Sequence, residues 1–254
     1  MRSTVPLLFL LNAGCTVTDA PSNLEDLLVY GFSHFEDNNA HLLDMFDELD
    51  PLVRKQGEGL ADGYRINNLA PEDLEDAGVK NPDLDKILGA VASGDYTHKM
   101  DALMPPITHK NKDRIFENFI AFDVLEDTDR SCFLSGECEF YESTAEQTVK
   151  VPLLGEATQT TRSQYRWVDQ DVPLMVARHI TADPVEFNSS IAKITQQYGL
   201  SVMYPSGKGT RRVEALWVEA KIIGIDVPDS FAVDNFASSH LAQIERTDEY
   251  LDGL

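Results

Sequence analysis

The sequence predicts an α+β fold: helices first, then an antiparallel sheet, then one long helix that closes the chain. Three observations carry this. Apolar residues recur at helical spacing from Leu27 to Leu52. From Arg114 onward the period changes to two, which marks half-buried strands whose side chains alternate between faces. Beyond Val227-Pro228-Asp229, a helix start, the stripe returns to helical spacing from Ser230 to about Leu251.

The chain opens with one basic side chain in Met1-Arg2-Ser3-Thr4. The apolar run Val5-Pro6-Leu7-Leu8-Phe9-Leu10-Leu11 and the small-residue stretch Asn12-Ala13-Gly14-Cys15 follow. This is the layout of a secretory signal over residues 1–14. Residues 15–22 read as a polar tether and 23–254 as one domain, a length that a single core can serve. Asn23 is a helix cap, with Asp26 three residues on. The helical run from there to about Arg54 is interrupted by Asp37-Asn38-Asn39, so it is one helix or two; Gly57, Gly59 and Gly63 end it.

Residues 63–69 read as a short strand. Pro71 with Glu72 and Asp73 opens a further helical segment. Residues 85–96 read as a buried strand and 98–103 as a short helix stopped by Pro105-Pro106. Strands are then expected at 115–124, 132–141, 147–154, 159–168, 174–181, 192–204 and 211–222. Their short, turn-rich connections imply an antiparallel meander.

Strand faces follow from the alternation. Leu216, Val218, Ala220 and Ile222 share one side, while Glu219 and Lys221 mark the other as wet, with Trp217 among them. Ile194, Tyr198, Leu200 and Val202 share a side with Gln196, and Tyr165 shares one with Trp167. The last helix carries a stripe of Val233, Phe236, Ala237, His240, Leu241, Ile244 and Leu251, which must pack on an apolar sheet face. Gln196 and His240, polar residues on apolar sides, are either satisfied buried groups or ligand contacts.

Composition narrows the function. There are 43 Asp and Glu against 21 Lys and Arg, a net charge of −22. Such a surface repels phosphate backbones and keeps a protein soluble and monomeric, so nucleic acid is not expected as a partner. No segment has the 18 or so consecutive apolar residues of a membrane-spanning helix. The sequence holds no G-x-S-x-G, Walker, G-x-G-x-x-G or H-E-x-x-H motif. Gly207-Lys208-Gly209-Thr210 lies between strands and lacks the upstream glycine of a phosphate loop. Glu137, Glu139 and Glu142 do not all share one face, and the six histidines are scattered. No catalytic residue, metal or cofactor is therefore expected. Lys208, Arg211 and Arg212 form a basic cluster, either a solvated turn or a contact for an anionic group.

The three cysteines are Cys15, Cys132 and Cys138. If 132–141 is one continuous strand, Cys132 and Cys138 lie about 20 Å apart and cannot bond. If Ser135-Gly136 makes a turn, they lie opposite each other within bonding range. The tolerable alternation of the segment favours the unbroken strand.

The order of elements, with the closing segment Thr210-Arg211-Arg212-Val213-Glu214-Ala215-Leu216-Trp217-Val218-Glu219-Ala220, then Asp226-Val227-Pro228 and a long helix, resembles START-like (helix-grip, SRPBCC-type) domains over 23–254. Ala13-Gly14-Cys15 after leucines resembles a bacterial lipoprotein lipobox. The first resemblance implies a curved sheet wrapped on the last helix, with a cavity between them for an apolar small molecule or lipid. Tyr165, Trp167, Gln196, Tyr198, Leu216, Val218, Val233, Phe236 and His240 are the candidate ligand-binding residues. The second implies lipidation of Cys15 and an exported, lipid-anchored protein in the periplasm or at the cell surface. START-like relatives also include cyclases, hydrolases and interaction modules without a ligand, and these stand as alternatives.

Overall fold

The computed structural model describes residues 20–254, apart from 76, 80–83, 85–86, 117, 152–154, 170–171, 182, 189–191 and 223–227. The signal segment and Cys15 lie outside the described residues. Helix α1 (Leu24–Ser33) starts where the Asn23 side chain accepts the Asp26 amide. The helical run is two helices, because the Asn38 side chain caps a new one, α2 (Asn39–Gln56), by accepting from the Ala40 amide. Strand β1 (Tyr64–Ile66) and β2 (Leu88–Tyr96) follow, then α3 (Met100–Ile107).

Helix α3 runs through Pro105 and Pro106 instead of stopping before them. The prolines occupy its last turn, and the helix ends one residue beyond, where the amide and hydroxyl of Thr108 both donate to the Met104 carbonyl. After β3 (Phe119–Asp127), residues 132–141 also depart from expectation. They hold a short helix, α4 (Arg130–Ser135), capped by the Asp129 carboxylate on the Cys132 amide. Gly136, at φ 77°, ends it in the left-handed region that favours glycine. This one helical turn folds Cys138 back over Cys132, with Cα atoms 5.1 Å apart, and the two form a disulfide. Capping by Asp129 and the glycine stop outweigh the weak alternation that suggested a strand.

The long strands are β4 (Phe140–Val151), β5 (Gly155–Asp169), β6 (Leu174–Thr181), β8 (Ala192–Ser206) and β9 (Gly209–Ile222), with the short β7 (Glu186–Phe187) pairing β5. The sheet order is β1-β2-β9-β8-β6-β5-β4-β3, antiparallel throughout the described residues. The expected meander is present, and β2 pairs along β9 so that the start and end of the chain's sheet are neighbours. The closing helix α5 (Asp229–Asp252) packs chiefly on β2. Gly94 permits the approach: a Cβ there would stand 2.6 Å from Ile244 Cδ1.

The sheet is covered on both faces at β9, so the wet side expected around Trp217 is a correction. Trp217 is fully buried with its ring edge-on to Phe32 of α1 at 5.6 Å, and Tyr198 meets the same phenylalanine at 6.2 Å. A core of α1, α2 and the outer sheet face includes Leu200, Val202 and Val213. A second core on the inner face joins Met100, Met104, Phe133, Tyr165, Met175 and Ile244. Arginines fasten the outer layer. Arg178, fully buried, donates to the Phe32 carbonyl and to Glu36, and its guanidinium lies 4.8 Å from the Phe35 ring centroid. Arg166 donates to the Phe35 and Asp37 carbonyls, and Arg162 to that of Ala77. Carbonyls left without partners at a helix end suit such donors.

Candidate functional site

Between the inner sheet face and α5 lies a cavity of about 170 Å³, bounded by β5, β6, β8, β9 and the connection before β3. The two-residue period places the wall. On β9, Arg212, Glu214 and Leu216 point inward, while Arg211, Val213, Ala215 and Trp217 point to α1 and α2. The basic cluster read from sequence is thereby split. Arg211 makes a bidentate pair with Asp95, both contacts at 2.7 Å; Lys208 stays exposed in its turn; Arg212 goes into the interior.

Arg212 and Glu214 form an ion pair at the cavity wall. Arg212 Nε donates to Ser201 Oγ at 2.9 Å, and Nη1 to Tyr96 Oη and Gln243 Oε1 at 3.2 Å each. His240 Nδ1 lies 3.2 Å from Glu214 Oε2. Burial pulls the Glu214 carboxyl up, but Arg212, His240 and His179 outweigh it and hold it below the usual carboxylate range. His240 Nε2, also buried, has no hydrogen-bond partner among the described residues.

Across the cavity, His179 Nδ1 meets Ser163 Oγ at 3.0 Å. Burial pushes the His179 imidazole down to about 4, so the ring is neutral at neutral pH. Gln197, Gln159 and Thr161 add polar groups, and Phe116, Phe119 and Tyr165 add ring surface. A larger groove of about 550 Å³ opens at the rim, where Met100, Met104, Leu134 and Trp167 meet Lys99 and Lys208.

The expected ligand residues divide accordingly. Tyr165 and Leu216 line the cavity, and His240 joins its charged cluster. Trp167 lines the rim groove, with Nε1 donating to the Phe133 carbonyl. Phe236 packs on His240, Val218 sits farther along β9 beside Leu88, and Val233 lies against Gly63. Tyr198 and Gln196 do not face α5. Tyr198 is on the outer face with Leu200 and Val202 and donates to Gln196 Oε1 at 2.9 Å, because the side these residues share is the one that α1 and α2 cover. Sequence reasoning missed Arg212, Glu214, Ser163 and His179 as wall residues. The alternation of Arg212 and Glu214 ahead of Leu216 was a usable signal. Of the acidic candidates, Glu139 pairs with Arg166 and Glu142 accepts from Gln164, so they do not converge on a common site.

No family model matches the chain, and no curated protein is significantly similar to it. Solved structures similar to it include a STAR-related lipid transfer protein from Xanthomonas axonopodis, 10% identical over 67% of this chain and 96% of that one, with a TM-score of 0.46. A START superfamily protein from Mycobacterium smegmatis is 10% identical over 65% of this chain and 97% of that one, TM-score 0.45. The human StarD13 lipid transfer and protein localization domain is 10% identical over 81% and 97%, TM-score 0.44.

Proposed function

We propose that this chain is a binding protein whose inner cavity takes a small amphiphilic molecule. The observation that carries the reading is the cavity wall itself. Polar groups buried without need are costly, so a wall holding the Arg212–Glu214 ion pair, a neutral His179 and the side chains of Gln159, Gln197 and Gln243 is matched to a polar group that enters. Phe116, Phe119 and Tyr165 supply the apolar side. Arg212 is already neutralised by Glu214, which favours hydroxyl and carbonyl groups on the ligand over a strong acid. Ligand pockets commonly span roughly 300–1,000 Å³. At about 170 Å³ the cavity must open before it accepts a whole lipid.

Gly199 provides the test. It lines the cavity, and a Cβ on it would meet nothing closer than 3.6 Å. Gly199→Leu therefore fills the space while leaving β8 paired. Solvent extraction and native mass spectrometry of the mature protein should find a co-purifying molecule that the variant lacks. An empty unaltered protein, or a variant that keeps the molecule, overturns the reading.

The same proposal places the protein outside the cytoplasm, anchored through Cys15. The signal-like layout of residues 1–15 supports this, and so does the Cys132–Cys138 disulfide, since oxidising compartments keep such bonds. A second reading, hydrolysis, rests on the Ser163–His179 contact. It is disfavoured because Ser163 sits mid-strand between Ser143 and His179, where the ladder occupies the backbone amides that an oxyanion hole would need. Labelling of Ser163 by a fluorophosphonate would establish it.

A further inference from the structure

The geometry points to a second site, on the outer layer and away from the cavity: His34, Asp37 and His41 bind a divalent transition-metal ion of the Zn²⁺ class. Their ligand atoms all lie within 4.8 Å of one another. His34 caps the end of α1, Asp37 ends the turn, and Asn38 starts α2 so that His41 falls in its first turn. The two imidazoles face each other, with centroids 4.7 Å apart and planes 5° from parallel. Asp37 Oδ2 lies 2.5 Å from His34 Nδ1.

Two further features suit a metal better than a plain hydrogen-bonded turn. The Tyr30 hydroxyl lies 2.7 Å from His41 Nδ1. With Nδ1–H donating to the Tyr30 oxygen, Nε2 keeps the lone pair that a metal ion needs. The turn is also held from beneath. Arg166 donates to the Phe35 and Asp37 carbonyls, and Arg178 to the Phe32 carbonyl. A set of ligands fixed by its surroundings is preorganised for binding. The neighbouring Glu36 is drawn off by Arg178 and does not belong to the set. All three residues are half-buried, so solvent reaches the set.

Two imidazoles and one carboxylate select Zn²⁺, Co²⁺, Ni²⁺ or Cu²⁺ over Mg²⁺ and Ca²⁺, which prefer oxygen. Three protein ligands leave a position for water. The ion would clip α1 to α2 across their turn.

Co²⁺ titration of the chelator-treated full chain, in a large excess of Mg²⁺ to block surface carboxylates, tests this. One ion should bind per chain, with the visible spectrum of imidazole-ligated Co²⁺. His41→Ala and Asp37→Asn should each weaken binding at least tenfold, and Tyr30→Phe should weaken it less. In the unaltered protein, Zn²⁺ should shift the imidazole resonances of two of the six histidines, His34 and His41. That measurement decides alone if a variant fails to fold. No binding by the unaltered chain, binding indifferent to His41→Ala, or shifts at other histidines overturns the site.

Discussion

At the scale of single residues, the cavity wall is an electrostatic arrangement, and His179 is its most exposed weakness to acid. An unfolded histidine titrates near 6.5, whereas burial holds His179 near 4. Between those values the unfolded chain takes up a proton that the folded chain refuses. Stability present above about pH 6.5 is therefore lost as pH falls toward 4. The loss is at most about 3 kcal/mol, and smaller to the extent that solvent reaches the partly buried ring. Urea midpoints measured across this window should fall for the unaltered protein and flatten for His179→Gln. Little of this was legible beforehand. His179 and Ser163 sit on different strands, and only the β5–β6 register puts them side by side. Arg212 and Glu214 were readable as sharing a face, but their charge argued for solvent until α5 covered them.

At the scale of elements, the segment 129–138 shows local signals outranking periodicity. Asp129 caps, Gly136 stops, and the disulfide closes a loop whose ends are six residues apart. Loop-closure entropy for so short a loop is worth about 2 kcal/mol. Free-thiol counting should find neither Cys132 nor Cys138 reactive in the unreduced protein. The double variant Cys132→Ser/Cys138→Ser should lose up to about 2 kcal/mol in denaturant unfolding. Phe133 sits in the inner core with its ring 5.6 Å from that of Trp167, so loosening α4 also loosens the rim groove.

At the scale of the whole molecule, a −22 chain is held off anionic membranes at long range, and among the described residues no helix is long and apolar enough to cross one. Under the proposal that the protein is anchored, Cys15 is the attachment point. Each buried acyl CH₂ contributes about 0.8 kcal/mol, so acyl chains on Cys15 would outweigh the charge repulsion. Cys15→Ser should move the protein from the membrane to the soluble fraction on cell fractionation. Retention in the membrane, or a mature N-terminus elsewhere, would remove the anchor from the account.

The early helices, the meander from β5 onward and the closing helix were legible in the sequence alone, because turn residues and apolar period are local properties, whereas 132–141 read as a strand and holds α4. Asn23, Asn38 and Asp129 cap helices through neighbours two or three residues away. Which faces are buried was decided only by tertiary structure. Strand alternation separates two sides but does not say what covers each, so Trp217 read as wet until α1 lay across it. The same holds for the sites. Arg212 meets Gln243 across 31 residues, and His34 meets His41 across a turn between two helices. Pairs such as these are set by how layers stack, and stacking is a property of the assembled chain.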